Sequence, residues 1–514
     1  MEEKMKKSTI ITVSAVLIAL AMTMPLWANH VVLENVSLTE QNTTDDYTHI
    51  EFDISWENSW RLDGVAAPNN WDAAWVFAKY NIVGDDPDVG WKHCTLNTSG
   101  HTAPTGSVVE NPTSDNSQTG VFIYRSADNK TTEGNAASVD WDNAKLRWNY
   151  GTDGIEDGAI VDVKVFAIEM VYIPQGEFHL FNGESGNFYA EFNSGNTISS
   201  EDAIGENTIT WIMKDTYCGA GTSDGIAGYN AALGVNYPKG FKAIYCMKYE
   251  ISQGQYADFL SLLTDAQDDN RYPNANGSYR HTISGSYGSY SASRPDRACN
   301  WISWADGLAY ADWAGLRPMT ELEYEKICRG PETAGIEYAW GNTTITAATT
   351  ISGTENGTEI ITNPGANCCY SGQTFTGGDK GKGPLRCGIF ATGSSSRQQS
   401  GASYYGVMEL SGNLWERYIT VAKYCSNGST WIETGVSSFD GRHGDGVLTT
   451  NGFADVTNWP SPTVTSGNTA FGSSFRGGDW SGGAAGLCVS DRYSAAAPYA
   501  YRRQYDGFRL SRTQ

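Results

Sequence analysis

Helical periodicity is scarce in this chain, and where it occurs it is short and announced by a capping signal. Ser252-x-x-Gln255 opens QGQYADFLSLL, Ser303-x-x-Asp306 opens WADGLAYADWAG, and Thr320-x-x-Glu323 opens ELEYEKICRG. In each, the hydroxyl can accept from the orphan N–H groups of a first turn while the acid or amide reaches back. The second box carries Asp where Glu or Gln is usual. Gly315 and Gly330 stand where the second and third helices should close. The segments around these helices read as short strands, turns and loops. The expectation is an α+β protein with few helices and many loops. With 57 Gly, 17 Trp and 28 Tyr against 16 Pro, irregular segments joined by aromatic packing suit the composition.

The chain divides into three parts. Residues 1–28 read as a signal peptide: Lys4, Lys6 and Lys7, then an apolar run from Ile10 to Met22 too short to span a bilayer, then Leu26-Trp27-Ala28. The other reading of this segment is a retained anchor. An exported protein, extracellular, on the cell surface or periplasmic, is expected. Residues 29–168 read as an all-β sandwich, with alternating segments at 49–56, 120–126, 145–150 and 159–168. DAAWVFAKY (72–80) fits helix or strand equally. VVLENVSL (31–38) is a first strand that can pair within its own sandwich or with the edge of a neighbour, giving self-association. From 169 to 514 the texture changes to a loop-rich second domain.

A net charge of −23 excludes nucleic acid and anionic membrane as partners and suits divalent cations. No stretch beyond the first residues is long and apolar enough to span a membrane. Ten cysteines in an exported chain imply disulfides, and none has zinc-finger spacing. The seven histidines include no i, i+4 pair, which argues against a zinc hydrolase.

Six ordered segments then carry a family resemblance: MVYIPQGEF (170–178), YEISQGQYADFL (249–260), NWISWADGLAYADWAGLRPMTELEYEKICRG (300–330), YAWGN (338–342), GVMELSGNLWE (406–416) and FRGGDW…DGFRLSR (475–512). Together they resemble the formylglycine-generating enzyme, or sulfatase-modifying factor, domain. The resemblance implies a C-type-lectin-like fold over residues 169–514. It also implies chemistry by two cysteines that bind copper(I), since thiolates select that ion. Aligned on Arg476-Gly477-Gly478-Asp479-Trp480, the two cysteine positions of the family fall on Gly482 and Leu487. Cys488 misses the second by one residue. Copper is therefore not expected, and a catalytic Cys488 competes with a Cys328–Cys488 disulfide implied by the family's structural pair.

The resemblance also implies calcium at Glu409-Leu410-Ser411-Gly412-Asn413-Leu414-Trp415-Glu416. The ligands would be the side chains of Glu409 and Glu416 and the carbonyls of Gly412 and Leu414. A weaker second set is Asn367, the Cys368 carbonyl and Asp379. Near the C-terminus Tyr493, Tyr499, Tyr501, Arg502, Arg503 and Tyr505 crowd one loop, in residue types suited to a face for a protein or glycan ligand. The competing reading is that these aromatics pack the domain's own loops. Three functions follow: a non-catalytic exported structural or binding protein, including a filament or surface-layer subunit joined through 31–38; an active formylglycine-generating oxidase; or a lectin-fold ligand-binding protein.

Overall fold

A computed structural model describes residues 31–514 except 65–66, 87–88, 130–136, 181–189, 193–195, 206–207, 210, 214–230, 334, 423, 426–430, 433–435 and 496. The expected signal peptide and Cys218 lie outside the described residues.

The amino-terminal part is built from β1 (Val32–Asn42), β2 (Tyr47–Ser59), β3 (Asp72–Ile82), β4 (Lys92–His93), β5 (Ser107–Glu110), β6 (Val121–Arg125), β7 (Ala137–Trp148) and β8 (Val161–Ile173). One sheet has the order β1-β2-β7, all antiparallel. β1 pairs with β2 of its own chain, from Val32 opposite Ser55 to Asn42 opposite Tyr47, and is an edge strand. Register shifts fall beside Asn35 and Glu40, both at positive φ, where bulges bend the edge.

The second sheet runs β5-β6-β3-β8 and continues into β9 (Ile244–Met247), β14 (Leu510–Thr513) and β10 (Arg317–Pro318), with β4 pairing β3. β8 joins the two halves. Val161 to Val171 pair along β3, and Met170 to Ile173 pair along β9. The expected division after residue 168 thus falls inside one strand, and both parts share one hydrogen-bonded sheet.

The shared sheet is buried on both faces. Ala74, Val76 and Ala78 of β3, with Val121 and Ile123, pack on Phe52, Ile54 and Trp56 of β2 and on Leu146 and Trp148 of β7. Ala73, Trp75 and Phe77, with Phe122 and Tyr124, join the core of the carboxy-terminal part. A strand covered on both sides carries a continuous apolar run, which explains the absent period of DAAWVFAKY. Burying each large side chain contributes about 1.5–3 kcal/mol, so this middle layer is a main source of stability.

Beyond it lie α1 (Gln253–Leu260), α2 (Asp265–Arg271), α3 (Trp304–Trp313), α4 (Glu321–Arg329) and the short α5 (Arg397–Ser400). All three expected capping boxes form with both reciprocal bonds, the Asp306 version included. Two more, Thr264 with Gln267 and Ser396 with Gln399, start α2 and α5. The rest is loops and short strands, including a sheet ordered β12 (Ser473–Arg476), β11 (Trp415–Ile419), β13 (Asp506–Gly507). The architecture is α+β with few helices. No helix among the described residues is long and apolar enough to cross a membrane.

Candidate functional site

Loops 368–372, 409–416 and 477–488 meet beside β11 and β12. Gly412 donates its amide to the Gly477 carbonyl at 2.8 Å, and Trp480 donates to the Asn413 carbonyl at 2.8 Å. Asn413 donates to Cys369 at 2.9 Å, and Ser371 donates to Gly482 at 2.9 Å. The Ser411 hydroxyl bonds the Leu487 carbonyl at 2.7 Å. Gly412 has φ +91°, and a Cβ there would lie 2.4 Å from Cys368 Sγ, so only glycine fits.

The arginine of the RGGDW segment anchors this assembly. Arg476 reaches the carboxylates of Glu321 (3.1 Å) and Glu325 on the buried face of α4. Arg492 holds Glu321 at 2.7 Å, and Arg329 holds Glu325 and, at 2.5 Å, Glu337. These buried ion pairs fix the loop on the helix, although Arg476 Nε has no hydrogen-bond partner among the described residues.

The two positions that would carry the cysteine pair are filled by other chemistry. Gly482 lies in a turn whose Asp479 carboxylate accepts from the Ser481 amide and hydroxyl. Leu487 is fully buried against Tyr338, Trp340 and Cys368. Cys488 is also buried, and burial, with Asp491 and Glu337 adding to it, pushes its thiol up to about 12. A thiol so shifted is not ionised at neutral pH, and it is the thiolate that attacks and binds metal.

The expected Cys328–Cys488 disulfide is not formed, and both thiols are free. Cys328 packs in the cluster that contains Tyr324 and Val489, whereas Cys488 packs with Tyr338 and Trp340. Residues 484–487 form a 3-10 turn and 488–490 continue as bend and turn, and it is Val489, not Cys488, that belongs to the cluster of Cys328.

At the expected calcium turn the side chains of Glu409 and Glu416 differ in availability. Glu409 Oε1 accepts from the Gly388 amide at 2.8 Å, while Oε2 is buried with no hydrogen-bond partner among the described residues. Burial, opposed by Arg509, raises its carboxyl to about 7. Glu416 is saturated. Arg509 donates to both of its oxygens at 2.6–3.0 Å, and the Tyr418 hydroxyl donates to Oε2. Glu250, not foreseen from the sequence, accepts from Asn413 Nδ2 at 2.6 Å and from the Leu414 amide at 3.0 Å. Burial and the nearby Glu416 push its carboxyl well up. Arg509 opposes the raised carboxyls of Glu250 and Glu409, and Arg386 adds a smaller pull on Glu409. Glu409 Oε2 is thus the carboxylate oxygen of this turn left without a partner, and Glu416 would be free for another only if Arg509 turned toward the Met247 and Met408 carbonyls it already touches at 3.0 and 2.6 Å.

The weaker set is engaged elsewhere. Asn367 accepts from Thr346 and donates to Thr344 and Gln398, and the Cys368 carbonyl accepts from Ala348. Asp379 is paired with Arg280 at 3.1 Å and Arg297 at 3.0 Å. Another acidic group, Asp312, Asp445 and Asp455, brings oxygens within 4.8 Å of one another; Asp312 uses its own to hold the backbone amides of the other two.

The C-terminal aromatic loop turns mostly inward. Arg502 pairs with the buried Asp306 at 2.6 Å, and Arg503 pairs with Asp506 at 2.7 Å. Arg503 also lies over the rings of Phe475, Tyr499 and Tyr505. Of the six expected face residues, only Tyr493 and Tyr501 are exposed.

This loop frame, with its RGG arginine on a capped helix and its GN turn against β11, defines a domain of the sulfatase-modifying kind. The family model described as "Sulfatase-modifying factor enzyme 1-like domain" matches residues 231–514, more than half of the chain, and the chain belongs to that family. Among its curated relatives, the formylglycine-generating enzyme of Thermomonospora curvata is 31% identical over 133 residues, 25% of this chain and 35% of the relative. That of Streptomyces coelicolor is 49% identical over 49 residues, 10% and 15% of the two chains. That of Mycobacterium tuberculosis is 29% identical over 115 residues, 22% and 30%. The matches span about a third or less of the length of these relatives.

Proposed function

We propose that this chain is an exported, non-catalytic structural or binding protein, in which a domain of the sulfatase-modifying family with a C-type-lectin-like fold serves as a rigid scaffold. The observation that carries this reading is the side-chain chemistry of the loop: Gly482 and Leu487 where the resemblance puts a cysteine pair, and a buried Cys488 thiol held at about 12. A two-thiolate copper centre needs both sulfurs deprotonated and close together. The rest of the loop keeps its anchors, as expected when an architecture is retained after its chemistry is gone.

Calcium belongs to the same proposal as a staple. Glu409 and the carbonyls of Gly412 and Leu414 would hold it, with Glu416 joining if Arg509 moves. The ion would neutralise the acid-rich pocket of Glu250, Glu409 and Glu416 and tie the 409–416 turn down. Self-association through 31–38 is a second reading favoured by one observation, the edge position of β1.

The test is turnover. Purified chain supplied with copper(I), oxygen and a sulfatase-type cysteine peptide should leave the peptide thiol unchanged by mass spectrometry. Conversion of that cysteine to an aldehyde would restore the oxidase reading.

A further inference from the structure

Three ionisable side chains meet in the layer where the two halves join. Lys248, one residue past β9, is 1% exposed, Asp72 at the start of β3 is fully buried, and Glu169 on β8 is 6% exposed. β8 pairs with β3 on one side and with β9 on the other, and the Lys248 amide donates to the Glu169 carbonyl at 2.9 Å. Lys248 Nζ lies 3.0 Å from Glu169 Oε2 and 3.5 Å from Asp72 Oδ2. The rings of Trp60 and Tyr249 stand 5.0 and 5.6 Å from the same nitrogen. Other buried lysines behave differently: Lys79, Lys239 and Lys326 donate to backbone carbonyls. Lys248 instead meets two carboxylates.

Asp72 is held as an electrophile should be. Its Oδ1 accepts from the Ser59 hydroxyl at 2.8 Å and the Trp60 amide at 3.0 Å, and its Oδ2 accepts from Trp56 Nε1 at 2.9 Å. Arg125 Nε donates to the same Ser59 hydroxyl at 3.0 Å, which leaves the Ser59 proton for Asp72. Fixed donors of this kind stabilise charge on a carboxyl oxygen, that of a tetrahedral intermediate included. Burial raises the Asp72 carboxyl, against the pull of Lys248. Burial also works against the Lys248 ammonium, but Glu169 and Asp72 outweigh it and hold its proton on. A carboxylate must therefore take that proton before the amine can attack, and Glu169 is the nearer one. Only a small shift of the lysine tip then separates Nζ from the Asp72 carboxyl carbon.

We propose that Lys248 and Asp72 condense into an intramolecular amide crosslink, with Glu169 as the proton carrier. Glu169 takes a proton from the ammonium, and the freed amine attacks the Asp72 carboxyl carbon. One C–N bond forms and one C–O bond of the carboxyl breaks. The departing oxygen leaves as water with two protons from the lysine nitrogen, relayed by Glu169, which ends as it began. No atom changes oxidation state, so no oxidant or cofactor is needed. A neutral amide replaces a buried ion pair, which is costly to keep out of water. The new bond locks β3 to the end of β9 across β8 and joins the two halves covalently.

The mass of the purified chain tests this. Reduced and denatured, it should be lighter by one water than its sequence from the observed amino terminus. A tryptic digest should contain a branched peptide joining Asp72 to Lys248. Lys248→Arg keeps a cation, cannot form the link, and should regain the full mass. Glu169→Gln keeps both reacting groups and removes the proton carrier; chains that still melt cooperatively should mostly regain the full mass. A parent chain at full mass, a water loss that persists in Lys248→Arg, or a branched peptide joining other residues would overturn the proposal. Complete reaction in Glu169→Gln would overturn the role of Glu169. The parent measurement decides whether or not either variant folds.

Discussion

Lys79 offers the sharpest test of how the two halves are joined. It sits on β3, fully buried, and donates to the Gly446 carbonyl at 2.9 Å from a loop of the carboxy-terminal part. Burial lowers its ammonium from the ordinary 10.5 to about 7, against the pull of Asp312 and the smaller pulls of Cys94 and Asp445. Because the folded value is the lower one, folding favours the neutral amine. The cost is absent well above pH 10.5, grows as pH falls, and is complete below about 7. At about 1.4 kcal/mol per factor of ten, it reaches about 4 kcal/mol at pH 7 and under about 1 kcal/mol at pH 10. Lys79→Met keeps the volume and removes the charge, at the loss of one hydrogen bond from a charged donor, about 2 kcal/mol. The variant should therefore be about 2 kcal/mol more stable than the parent at pH 7, with that advantage gone or reversed at pH 10. Urea unfolding of both proteins at the two pH values measures it. A variant less stable at pH 7, or a difference that does not change with pH, would refute the reasoning.

Other outcomes follow from the same contacts. Arg476→Met leaves Glu325 and Glu321 short of a buried partner and should cost about 3–5 kcal/mol in chemical unfolding. Under the calcium proposal, calcium should raise the melting temperature of the parent in a chelator-reversible way and leave Glu409→Ala unmoved; equal responses would remove Glu409 from the ligands. Cys328 and Cys488 should both be alkylated when the protein is unfolded without reductant, whereas a linked peptide pair in the mass spectrum would restore the disulfide.

Much of the fold was legible because local signals agreed with the tertiary environment. Ser252, Ser303 and Thr320 each cap the helix that their sequence announces. The boxes of Thr264 and Ser396 have the same pattern but open helices too short and polar to show a period, and they were missed. β3 was ambiguous because burial on both faces erases alternation. The passage of β8 from one sheet partner to the next was invisible, because strand pairing at long range leaves no mark in local pattern. Arg476 served in the sequence only to align the loop, and its buried pairs with Glu321 and Glu325 were not foreseen. Nor was Glu250, since its carboxylate reaches the 409–416 turn from more than 150 residues away. Arg502 and Arg503 looked like surface chemistry, and only the buried Asp306 and Asp506 reveal them as internal pairs.

The central claim is that this loop has lost copper chemistry through two side chains. Gly482 has room for a cysteine, its nearest non-local atom from an added Cβ being Asp479 Oδ2 at 3.4 Å. The direct measurement is a copper(I) titration against a competing chelator, comparing the parent chain with Gly482→Cys/Leu487→Cys. The parent should take up no copper(I) from the chelator and the double variant should gain one site. A parent that competes for copper(I) as well as the variant would contradict the account.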